Sequence, residues 1–331
     1  MSSSAEFPVV PAVESPIRSR RGIKWARFLP VVTLVALILI IGGLRPLFFS
    51  GYSLQELATA AGPLILLACG EFAVVLLGGI DLSIGQISAL GTVLLAIWLG
   101  HAPGALVVVA VVAILGGMGA LNGVVMSVAK IPSFITTLGT LGLWTGVALV
   151  ISGETSVSVN DMGPLNWFAS YTGSVPNDFI VAIVAAAVFG LCLQSLPGGR
   201  LGMYAVGRAE SAALMSGMRV GRIRVAAFTI SGLFAGLAAI ELTALYASGD
   251  PQSAASLLLP AIAAVVVGGN AITGGVGSVT RAVIGASIIT VVDGGIGIVG
   301  INPYSEQILY GLLLIVTAGL TLDRSHLHVV K

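Results

Sequence analysis

Apolar residues in this chain neither alternate nor recur as a narrow helical stripe; they run on. Long apolar stretches are separated by short polar ones, and crossing a bilayer as a helix takes about 20 such residues. On that criterion ten spans are expected, at 28–47, 54–78, 82–100, 103–127, 132–152, 178–196, 225–247, 258–272, 282–299 and 305–322. Several are short or interrupted by Gly and Pro, which predicts broken or re-entrant helices among them. The expected fold is all-α, a polytopic transmembrane helical bundle. Residues 1–27 form a disordered basic tail, 28–322 the transmembrane domain, and 323–331 a second tail. Val31 to Gly43 reads as a retained membrane anchor rather than a cleaved signal.

Composition narrows the class. Of 331 residues, 56% are hydrophobic and 9% charged, with mean hydropathy +1.05. That excludes a disordered chain and an ordinary soluble enzyme. A net charge of +1 with no separate basic domain also argues against a nucleic-acid partner. Charge distribution supplies the orientation. If both termini are cytoplasmic, 14 of the 15 Lys and Arg residues fall inside: Arg18, Arg20, Arg21, Lys24, Arg27, Lys130, Arg200, Arg208, Arg219, Arg222, Arg224, Arg281, Arg324 and Lys331. Only Arg45 is left outside, as the positive-inside rule predicts.

Glycine is the second compositional signal, with 44 residues. Gly119 with Gly123, Gly142 with Gly146, and Gly232 with Gly236 have the small-xxx-small spacing that lets membrane helices approach closely. Chance pairing in a glycine-rich chain gives the same spacing. The stretches 78–91 and 268–279 both set a Gly pair at the end of an apolar run, a weak internal echo. Cys69 and Cys192 both sit inside apolar runs and read as packing residues.

Catalytic chemistry is missing from the pattern. A phosphate loop of the GxxxxGK[ST] type needs a Gly-Lys pair, and none of Lys24, Lys130 and Lys331 follows a glycine. His101, His326, His328 and the two cysteines have no zinc spacing, so neither metal nor cofactor is expected. Charged groups inside spans cost about 2.5–3.5 kcal/mol each and call for a reason. Glu71 and Asp81 are the deepest; Glu241 and Asp293 fall nearer the outer halves of their spans, where reaching water is the simple reading. Asp81 and Ser83 follow a Gly pair, which fits either a helix cap or a polar point on a substrate path. Glu71, Gln86, Asn122 and Asn270 are likewise path residues or interhelical hydrogen-bonders.

The segment 197–224 is the longest inside connection. Glu210 to Met218 predicts a short helix with Ala212, Ala213 and Met215 on its apolar positions, ended by Gly217 and surrounded by five arginines. It would lie on headgroups or dock in a partner's groove. Here specific motifs appear. GGIDLSIGQISAL at 78–90, GRAESAALMSGM at 207–218, and GGVGSVTRAVIGA at 274–286 with INPYSEQILYGLLL at 301–314 resemble the permease subunits of bacterial ABC importers for ribose, xylose and related monosaccharides. The related branched-chain amino-acid permeases match the first motif less well.

The resemblance implies a multi-pass protein of the inner membrane that pairs as a dimer of permeases. It implies two ATP-binding subunits at the inside loop and a periplasmic sugar-binding protein as source of substrate. The coupling pattern would fall on Gly207, Glu210, Ala212, Ala213, Ser216 and Gly217. Ala209, Leu214, Arg281 and the Asp-Gly-Gly of 293–295 depart from the usual pattern. The competing expectation is an ion-coupled secondary transporter using Glu71, Asp81 or Asp293 as proton carriers.

Overall fold

The structure, a computed structural model, describes residues 28–197, 202–300, 302, 308–312 and 315. The expected tails at 1–27 and 323–331, and most of the expected span 305–322, lie outside the described residues. Nine apolar helices account for the other runs: α1 (Leu29–Leu44), α2 (Gly51–Val75), α3 (Ile84–Trp98), α4 (Gly104–Ala129), α5 (Ser133–Ser152), α6 (Asn177–Ser195), α9 (Val220–Tyr246), α10 (Leu258–Val267) and α11 (Val279–Val299). Two short helices, α7 (Tyr204–Arg208) and α8 (Glu210–Met215), lie between α6 and α9. Six of the apolar helices, α2, α4, α5, α6, α9 and α11, are long enough by themselves to cross a membrane. The bundle is therefore all-α, with four two-residue strands as minor additions at one end.

Length explains which helices fall short. At 1.5 Å per residue, the ten residues of α10 cover about 15 Å, half of a hydrocarbon core of about 30 Å. The expected span 258–272 thus stops early, at Gly268. Two spans instead begin earlier than expected. Ser278 caps α11, its hydroxyl accepting from the Arg281 N–H, and α9 starts at Val220, which puts Arg222 and Arg224 on a helix rather than in a loop.

α2 is the central helix, with 83% of its apolar window buried. Around it stand α6, α9, α10 and α11. Pro63 interrupts its ladder, so the carbonyl of Thr59 lacks the usual donor four residues on. α4 and α9 pack tightly through glycine. A Cβ at Gly119 would strike the Phe228 carbonyl, one at Gly232 the Leu115 carbonyl, and one at Gly236 would sit 3.0 Å from the Val112 Cα. Gly123 likewise faces the backbone of Val225. Gly142 and Gly146 meet nothing, so that third pair is spacing without packing. α5, with 17% of its window buried, turns most of its apolar surface outward to lipid or to another chain.

The two ends of the bundle differ. One carries Lys130, Arg208, Arg219, Arg222, Arg224 and Arg281, and is the basic end. The other carries the 153–177 connection. There β1 (Val157–Ser158) pairs with β4 (Ser248–Gly249) just after α9, and β2 (Tyr171–Thr172) forms a hairpin with β3 (Val175–Pro176). Cys69 is buried and Cys192 exposed, and both are free thiols.

Candidate functional site

The deep carboxylates form a knot, not a row along a path. Asp81 is fully buried, and its carboxylate accepts from the Ser83 N–H (3.0 Å), the Ser83 hydroxyl (2.6 Å) and the Ser231 hydroxyl of α9 (2.7 Å). Its own N–H donates to the Glu71 carboxylate at 3.1 Å. The Asn122 side-chain amide of α4 donates to the Ser83 hydroxyl at 2.8 Å. Glu71, Asp81, Ser83, Asn122 and Ser231 thus join α2, α3, α4 and α9 with no exposed surface between them. Asn270 holds another joint, donating to the Val265 carbonyl and accepting from the Ser278 N–H across the bend between α10 and α11.

The echo between the two Gly pairs is geometric. Gly78 and Gly269 both have positive φ, +77° and +87°, which glycine alone adopts freely. In each case the glycine N–H bonds three residues back, and the next N–H reaches five back, to Val74 or Val265. These are matched C-terminal caps. The loop after the second also touches the first. The Gly275 N–H donates to the Leu76 carbonyl at 2.8 Å, and Gly274 lies against Gly78. The first break and the loop after the second therefore meet at the basic end.

The 202–217 segment sits on that junction. Gly207 lies so close to the Leu76 carbonyl and Gly275 N that no Cβ fits there. Arg208 donates to the Gly275 carbonyl at 3.1 Å, and the Tyr204 hydroxyl to the Gly277 carbonyl at 3.1 Å. α8 begins at Glu210 as expected but ends at Met215, short of Met218; of its expected apolar positions only Ala213 is buried, packing with Val206 and Val220, and Gly217 (φ +77°) ends the turn. Glu210, Ala212, Leu214, Met215, Ser216 and Gly217 are exposed. Arg224 pairs with Glu210 and braces the helix.

Sequence reasoning passed over the feature that most resembles a solute site. Residues 248–257 read as a connection between spans, yet after β4 they descend along α3, irregular over 250–254 and then a 3-10 turn at Ala255–Leu257 before α10 begins. Gly249 packs on the Thr92 carbonyl, and a Cβ at Gly85 would sit 2.7 Å from the Ala254 carbonyl. Irregular backbone at membrane depth needs internal partners. Thr92 provides them, accepting from the Asp250 N–H (3.1 Å) and lying 3.2 Å from its carbonyl, while Gln86 donates to the Pro251 carbonyl at 2.9 Å. Beside this strip is an open cavity of about 520 Å³ lined by Tyr246, Ser248, Asp250, Gln252, Ser253 and Ser256. Of the sequence candidates, Gln86 alone supports this strip directly. The available signal was the polar run SGDPQSAAS between two apolar stretches.

Asp293 is half-buried and accepts from the Tyr310 hydroxyl at 3.1 Å. Glu241 does not reach water: it is 1% exposed, correcting the expectation drawn from its position. Among the described residues no cluster of three or more His, Cys, Asp or Glu forms a metal site.

Comparison with known proteins agrees with this architecture. A ribose import permease protein from Haemophilus influenzae is 31% identical over 86% of this chain and 90% of its own length. The D-allose transport system permease protein of Escherichia coli is 30% identical over 91% of this chain and 92% of its own. A ribose import permease protein of Escherichia coli is 32% identical over 86% and 90%. No solved structure matches. Residues 53–318 match the family described as branched-chain amino acid transport system, permease component, and the chain belongs to that family.

Proposed function

We propose that this chain is the membrane-spanning subunit of an ATP-driven importer for a monosaccharide of the ribose or allose kind. The sugar assignment, rather than an amino acid, rests on relatives named for ribose and allose that align along nearly the whole chain. In this reading it is a multi-pass protein of the bacterial inner membrane with ten spans and both termini cytoplasmic. It pairs with a second permease copy, receives sugar from a binding protein, and leaves ATP hydrolysis to separate subunits.

One observation carries the mechanism: the exposed helix α8 directly follows Gly207 and Arg208, which contact the end of α2 at Leu76 and the loop after α10 at Gly275. An ATPase pushing on Glu210, Ala212, Ser216 and Gly217 would displace the 274–277 loop and with it α10. The strip 248–257 leads directly into α10 and lines the polar cavity. A small displacement at α8 can therefore bias the cavity between two openings. Asp250, Gln252, Ser253 and Ser256 offer acceptors and donors suited to sugar hydroxyls. Glu71, Asp81, Ser83, Asn122 and Asn270 then act as positioning residues that keep the moving elements intact.

An ion-coupled carrier is not favoured, because the relatives aligned along nearly the whole chain are named as import and transport-system permeases, and Asp81 already accepts three hydrogen bonds inside the knot. Uptake of labelled ribose and allose into proteoliposomes, with ATPase and binding protein supplied or withheld, tests the proposal. Sugar uptake by this chain alone on a proton gradient would refute it.

A further inference from the structure

A second cavity lies at the end opposite α8, between α2, α6, α9 and the 168–176 segment. Its volume is about 90 Å³, and its lining includes Thr59, Ser170, Tyr171, Asp178 and Glu241. Two carboxylates face it. Glu241 is 1% exposed, and neither of its oxygens has a hydrogen-bond partner among the described residues. Asp178 is 5% exposed, and one of its oxygens accepts from the adjacent Phe179 N–H, at 2.7 Å. No basic side chain lines the cavity, and the one ion pair among the described residues, Arg224 with Glu210, is at the other end.

Gly62 makes room for this arrangement. A Cβ there would stand 2.8 Å from Glu241 Oε2 and 3.6 Å from the Asp178 carbonyl oxygen. The Thr59 carbonyl, freed by Pro63, belongs to a lining residue of the same cavity. Two carboxylates removed from water with no counter-charge are costly in a low-dielectric interior. Either a proton or a cation must neutralise them. The space suits one small ion with a few waters, since a bound water needs only about 10–15 Å³ by the same measure.

We propose that Glu241 and Asp178 form a binding site for a hard, oxygen-preferring divalent cation of calcium's size. The polar side chains of the lining offer only oxygen, two carboxylates and the hydroxyls of Thr59, Ser170 and Tyr171, with Phe168, Ala169, Pro176 and Leu245 completing the wall. Such sets select hard cations over the softer metals that prefer nitrogen or sulfur. Two negative charges balance one divalent ion, whereas a monovalent ion leaves a buried charge uncompensated. The bound ion would clamp α6 and the 168–176 hairpin to α9, next to the opening from which the transporter loads.

Terbium(III) luminescence on the detergent-purified full chain tests the site, because Tyr171 lines the cavity and can sensitise the ion. The expected result is a saturable signal that Ca²⁺ displaces and that weakens at least tenfold in Glu241→Gln and Asp178→Asn. Glu154→Gln and Asp161→Asn, on the same outer connection, should leave it unchanged. Wild-type thermal stability should also rise with Ca²⁺, and this increase should vanish in Glu241→Gln. Absence of a Ca²⁺-displaceable signal, or equal affinity in Glu241→Gln, would overturn the proposal and leave a shared proton as the counter-charge. Displacement by Na⁺ at lower concentration than Ca²⁺ would overturn the divalent assignment.

Discussion

Replacing Asp81 with alanine should cost stability before it changes any affinity for solute. The carboxylate receives three buried donors: the Ser83 N–H, the Ser83 hydroxyl and the Ser231 hydroxyl. Each buried donor left without a partner costs about 1–3 kcal/mol. The Ser83 hydroxyl also accepts from Asn122, so its disturbance reaches α4. Three orphaned donors, at the low end of that range, give a loss of about 3 kcal/mol. For a protein of this size that corresponds to a fall in Tm of about 4 °C. Asp81→Asn keeps one carbonyl acceptor, and the Ser231 hydroxyl can rotate to receive the new amide donor, so its loss should be about 1 kcal/mol. Thermal unfolding followed by size-exclusion chromatography in detergent measures both. Uptake by the surviving folded fraction of Asp81→Asn should keep an unchanged KM. If Asp81→Ala is as stable as the parent while KM rises, the knot is not structural and Asp81 belongs to the solute path.

Further outcomes follow from other contacts. Gly232→Leu should disrupt the α4–α9 seam and lower Tm markedly, because its Cβ would strike the Leu115 carbonyl; Gly142→Leu, in open space, should not. Glu210→Lys removes the pairing with Arg224 at an exposed site, so Tm should change by no more than about 1 kcal/mol equivalent, while transport in the assembled importer falls. Asp250→Ala and Gln252→Ala should raise the transport KM for sugar with little change in Tm, as both side chains line the open cavity. An unchanged KM in both would remove that cavity from the path.

Much of the bundle was legible in the sequence because lipid imposes a simple length rule on apolar runs. Runs such as 103–127 and 132–152 became helices with nearly the expected limits. The rule fails where protein, not lipid, surrounds the backbone. The strip 248–257 could descend along α3 only because Thr92 and Gln86 satisfy its peptide groups, and those partners stand about 160 positions away in sequence. The Gly pairs at 78–79 and 268–269 were visible as breaks, yet the contact of Gly207 with Leu76 before the first and Gly275 after the second depends on three distant segments. Similar spacing was ambiguous in itself: Gly232 and Gly236 pack on α4, whereas Gly142 and Gly146 face open space. Glu241 misled for the same reason, since proximity to a span's end says nothing about the Tyr171 hairpin and α6 closing over it.

The central claim is that force on α8 reaches the polar cavity through Gly207. Accessibility of Ser253→Cys to a thiol reagent, in a Cys192→Ser background and with the ATPase assembled, measures that link directly. The modification rate should differ between the nucleotide-free and the vanadate-trapped complex. In Gly207→Val, whose side chain cannot fit against Leu76 and Gly275, the difference should disappear while ATP binding persists. Equal rates in the two nucleotide states of the parent, or an undiminished difference in Gly207→Val, would contradict the account.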